Sequence, residues 1–113
     1  MILSDWEKLN YILSLSQLLT EEEKNKEFNS IIQNMYNLYI KKNENYGNSF
    51  GKLYEDLGPI SGLVPLHNKL NRLTSLIKGS KNNFESIEDT LIDLANYAIM
   101  NLIELKNSSS KEN

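Results

Sequence analysis

Apolar residues recur at three- and four-residue intervals along most of the chain and nowhere alternate with the two-residue period of a strand. Trp6, Leu9, Ile12, Leu13 and Leu19 share a face behind the capping-box pair Ser4 and Glu7, which predicts a first helix over Asp5–Leu19. Thr20 and Glu23 repeat the box, and Phe28, Ile31, Ile32, Met35, Leu38 and Tyr39 form the stripe of a second helix reaching Asn45. Gly47 can close that helix in the left-handed conformation. Gly51, Gly58, Pro59 and Gly62 then predict an irregular stretch. Pro65 fits the first turn of a third helix with stripe Leu66, Leu70, Leu73 and Ile77, ended by Gly79. After the linker 80–83, a fourth helix runs from Phe84 to Leu105 on the arc Ile87, Leu91, Leu94, Ala95, Ala98, Ile99 and Leu102. The expected fold is all-α: a four-helix bundle-like single domain over residues 1–106 with a disordered polar tail at 107–113.

Three charges interrupt these stripes. Lys42 falls on the apolar side of the second helix and Lys69 at the margin of the third. Glu88 falls where a leucine is expected on the fourth, with Glu85, Asp89, Asp93 and Asn96 along the edge of the same arc. A charge facing a core requires a counter-charge or a ligand. Two readings follow: a buried ionic network that only fixes the packing, or a polar pocket in which Lys42, Lys69 and Arg72 grip phosphate while Glu88, Asp89, Asp93 and Asn96 orient the cations or read hydroxyls. Tyr46 and Phe50 flank the Gly47 turn, where a ring can stack on a base or cover the core, and Ser49 can meet an oxyanion. The run Glu21-Glu22-Glu23 resembles a metal-ligand set, but it also suits the first turn of a helix, where the dipole favours negative charge.

Composition narrows the chemistry. With 113 residues the chain supports one modest core, and oligomerisation would enlarge it. A formal net charge of -3 gives no basic footprint for duplex nucleic acid. The absence of cysteine removes disulfides, thiolate metal sites and thiol nucleophiles, and the single histidine, His67, argues against a histidine-rich zinc site. Neither a membrane-spanning apolar run nor a secretory signal is visible, so a cytoplasmic protein is expected.

Three segments, in order, carry a resemblance: Lys42-Asn-Glu-Asn-Tyr-Gly-Asn-Ser-Phe50, Lys69-Leu-Asn-Arg-Leu73, and Glu85-Ser-Ile-Glu-Asp-Thr-Leu-Ile-Asp-Leu-Ala-Asn-Tyr97. Together they resemble the nucleotide-modification-associated domain family, small all-helical proteins frequent in phages and mobile elements. Asn45 stands where that family often has Asp before Tyr-Gly. The resemblance implies phage-linked nucleotide biology: a homo-oligomeric protein that captures a small nucleotide without cofactor, metal or catalytic residue, and so sequesters a host nucleotide immune signal, or an accessory to nucleotide modification. The alternative is a MazG-like, magnesium-dependent nucleotide pyrophosphohydrolase. That chemistry needs about four convergent carboxylates around the ion. Glu85, Glu88, Asp89 and Asp93 supply one half of such a set, but the second helix offers only Glu23 and Glu27 near its far end.

Overall fold

The computed structural model describes residues 4–16, 18–79 and 84–111, and among these it contains five helices and no strand. They are α1 (Asp5–Ser16), α2 (Glu21–Tyr46), α3 (Ser49–Leu57), α4 (Pro59–Lys78) and α5 (Phe84–Lys111). The predicted linker 80–83 and the last two residues lie outside the described residues. The chain divides into two compact units, Met1–Tyr36 and Asn37–Asn113, and α2 contributes to both.

In the first unit both predicted caps form. The backbone N–H of Glu7 donates to Ser4 Oγ at 3.2 Å. Glu23 N–H donates to Thr20 Oγ1 at 3.1 Å, and Thr20 N–H donates back to Glu23 Oε1 at 3.3 Å, so two otherwise orphaned donors at the start of α2 are satisfied. The acidic run is the exposed first turn of this helix, and Glu21 pairs with Lys24 at 3.6 Å. Met35 is buried.

The second unit departs from expectation where glycine and proline predict breaks. Residues 49–57 form helix α3 instead of a loop. Gly51 lies buried inside it, where a Cβ would meet the side chain of Asn48, the residue that precedes the helix. The true break is Gly58, whose φ of +81° suits glycine and which alone separates α3 from α4. Pro59, not Pro65, takes the first-turn position of α4; Pro65 lies within the helix. Ser61 Oγ donates to Gly58 O at 2.8 Å and helps to hold this corner. At the other end of the unit α5 continues to Lys111, so residues 107–111 of the expected tail are helical.

Helices α4 and α5 form the closest pair and run antiparallel, since Gly62 near the start of one meets Asn101 late in the other, while Lys69 meets Asp93. Asn101 Nδ2 donates to Gly62 O at 3.0 Å and to Tyr97 O at 2.8 Å. A Cβ on Gly62 would strike the Asn101 side chain and press on Tyr54, so this glycine permits the closest approach of the two helices. Helix α3 packs on both through Tyr54, which is buried, and through Phe50, whose ring lies 6.4 Å from Tyr54 and 6.1 Å from Tyr97. Thr90 is also buried, its hydroxyl satisfied by Ser86 O at 2.6 Å.

Glu88 does not face this core. Its side chain is exposed and makes no ion pair among the described residues. The apolar arc of α5 spans more than half the helix, so periodicity alone does not say which part the chain buries. The buried side is centred on Thr90, Tyr97 and Asn101; the part containing Glu88 and Leu91 faces outward.

Candidate functional site

A cleft of about 800 Å³ lies within the second unit, and each of its walls comes from a different helix. The last turns of α2 contribute Tyr39, Lys42, Asn43 and Tyr46, which recur at three- and four-residue steps and so share one face. Gly47, in the left-handed conformation at φ +62°, turns the chain directly into α3. That helix adds Ser49, Phe50, Leu53 and Leu57 at the same kind of spacing. Helix α4 adds Ser61, Val64 and Pro65, and α5 adds Asp93, Asn96, Tyr97 and Met100. Most of this wall is aliphatic or aromatic. Tyr46 is 74% exposed at the rim, whereas Phe50 and Tyr97 are tied together in the ring cluster beneath.

The charged groups gather on one carboxylate. Lys42 Nζ lies 3.3 Å from Asp93 Oδ1, and Lys69 Nζ lies 3.0 Å from Asp93 Oδ2. Each oxygen therefore serves a different helix, and Asp93 joins the end of α2 and the middle of α4 to α5. The Asp93 side chain is 22% exposed and that of Lys69 30%, against 55% for Lys42. The Lys42 pair is solvated enough to contribute a few tenths of a kcal/mol, while the Lys69 pair, more sheltered and shorter, is worth about 1 kcal/mol. The two ammonium groups thus share the one carboxylate at the edge of the cleft.

Of the residues singled out from sequence, Lys42, Tyr46, Ser49, Phe50, Asp93 and Asn96 line the cleft, and Lys69 reaches it through Asp93. Arg72, Glu88 and Asp89 are exposed and do not line it. The acid that meets both lysines is thus Asp93, one turn further along α5 than the expected Glu88. The apolar wall from α3 is not legible where Gly51 and Gly58 predict an irregular stretch. The i, i+3, i+4 spacing of Phe50, Leu53, Tyr54 and Leu57 carried the missing signal. Among the described residues no three His, Asp or Glu side chains come together in a metal-binding arrangement.

The profile described as Nucleotide modification associated domain 1 matches residues 42–105, more than half of the chain. The chain belongs to this family. The matched segment begins at Lys42 and ends within α5, so it contains both lysines, Asp93 and nearly the whole wall of the cleft. No curated protein and no solved structure gives a significant match.

Proposed function

We propose that this nucleotide-modification-associated domain captures a phosphate-bearing nucleotide in the cleft between α2, α3, α4 and α5. The observation that carries this reading is the pairing of Lys42 and Lys69 on the single carboxylate of Asp93, beside a wall of aromatic and aliphatic side chains. A phosphate takes charge-assisted hydrogen bonds from the two ammonium groups. The base stacks on Tyr46, whose ring is exposed at the rim, and the sugar lies toward Phe50 and Asn96. The cleft volume falls within the range of small-molecule sites, about 300–1,000 Å³.

The placement of the acids favours binding over metal-assisted hydrolysis. Metal-assisted pyrophosphate release draws on about four converging carboxylates. Among the described residues Asp93 is the one acid in the cleft lining, and both its oxygens are engaged by lysines. Capture without turnover suits a protein that removes a nucleotide from circulation, and sequestration of a host nucleotide immune signal by a phage or prophage protein is the specific form of the proposal.

Thermal-shift and calorimetric titrations with linear and cyclic nucleotides in magnesium-free buffer test the reading. At least one nucleotide is expected to raise the melting temperature and to be recovered chemically intact when the complex is denatured. If none binds, the capture reading fails; if the bound nucleotide is recovered hydrolysed, the protein is an enzyme.

A further inference from the structure

We infer that Asp93 is a positioning residue of this cleft, acting on a bound phosphate through the lysine ammonium groups it holds and not by touching the ligand; the inference rests on the capture reading above. Lys42 and Lys69 stand on α2 and α4, so no local spacing sets where their charged ends meet. A lysine has a flexible four-carbon stem and a strongly hydrated end, and left alone it turns to water. Burial does not prevent this at Lys42, whose side chain is exposed by more than half. Its bond to Asp93 Oδ1 does. Lys69 does not itself line the cleft, and its shorter bond to Oδ2 steadies the carboxylate from a third helix.

An aspartate suits this task because its carboxylate stands only two torsions from the backbone, and the backbone of α5 is docked here. Asn101 holds it against Gly62 of α4, and Tyr97, one turn after Asp93, lies in the ring cluster with Phe50. A lysine ammonium has three donors, so one that is held by a carboxylate can still donate to a phosphate.

The same carboxylate also opposes binding, since a negative charge repels a phosphate placed beside it. A residue that acted through its charge alone would therefore, on losing that charge, let an anion bind more tightly. A residue needed only for packing would change stability and leave the affinity of the folded protein as it was. Positioning gives a third result: weaker binding in spite of the lost repulsion, because an ammonium group out of place no longer meets the phosphate.

The test is calorimetry in magnesium-free buffer with AMP, ATP, GTP and cyclic AMP, continued with whichever binds the parent chain most tightly, at a temperature where circular dichroism shows each variant folded. Asp93→Asn keeps the shape of the side chain and removes its charge, whereas Asp93→Glu keeps the charge and moves it outward by one carbon–carbon bond. Asp93→Asn is expected to raise the Kd about tenfold, and Asp93→Glu severalfold. Lys42→Gln should cost about tenfold in the parent but about twofold or less in the Asp93→Asn chain, where the ammonium has already lost its place. Affinity unchanged or tightened in folded Asp93→Asn, or losses that simply add in the double variant, overturns the positioning role and leaves capture standing. Should Asp93→Asn not fold, Asp93→Glu decides: a severalfold loss supports the role and an unchanged Kd overturns it. If none of the four nucleotides binds the parent, capture and positioning fall together.

Discussion

The two sides of α5 carry similar residues and have opposite fates. On one, Asp93, Asn96, Tyr97 and Met100 line a cleft, and the carboxylate holds lysines from two other helices. On the other, Leu91, Ala98, Leu102 and Leu105 accompany Glu88, and all are exposed. Glu88 and Asp93 differ by five residues, which at about 100° per residue turns them well apart around the helix. A carboxylate on a stripe becomes part of a site only where neighbouring helices bring cations to it.

The sharpest way to break this contrast is to part α4 from α5, since their contact fixes which side is inner. Gly62→Ala should do so: the added methyl strikes Asn101 and disturbs its bonds to Gly62 and Tyr97, at a cost of about 3 kcal/mol in urea unfolding. Next in size is Asp93→Ala, which leaves two lysines facing each other. It should lower stability by about 1–2 kcal/mol, and most of that loss should disappear when Lys69 is changed to Met in the same chain. Lys42→Met removes the more solvated partner and should change stability by about 0.5 kcal/mol or less while weakening nucleotide binding measured by calorimetry. Glu88→Leu should be the smallest, within about 0.5 kcal/mol. Combined with Lys42→Met it should be additive within about 0.3–0.5 kcal/mol, because the two groups do not touch. A strong coupling between Lys42 and Glu88 would restore Glu88 as the counter-charge and erase the distinction drawn here.

Local signals in the sequence were accurate where one segment decides its own conformation. The capping box at Thr20 and Glu23, the left-handed stop at Gly47 and the helical stripes all depend on residues within a turn of one another, and each appears in the structure. The orientation of Lys42 and Lys69 toward an acid on the last helix was legible for the same reason. The identity of the acid was not, because α5 is apolar over more than half its circumference and its inner side is chosen by Asn101 meeting Gly62, a contact 39 residues apart. Helix α3 and the first turn of α4 are hidden by Gly51 and Gly62, which look like breakers but lie inside helices; at Gly62 the Asn101 side chain occupies the space of a Cβ. Proline rules predicted the right kind of helix start and attached it to Pro65 instead of Pro59.

A single residue, Gly58, separates α3 from α4. Helix α3 has nine residues, so it reaches about 13 Å from Gly58 to the rim, and a rotation of about 10° at that residue would displace its far end by roughly 2 Å. Ser49 and Phe50 ride on that far end, between the two positive-φ glycines Gly47 and Gly58. A rotation of α3 about Gly58 would therefore register at the mouth of the cleft, a helix length away from the torsions that change.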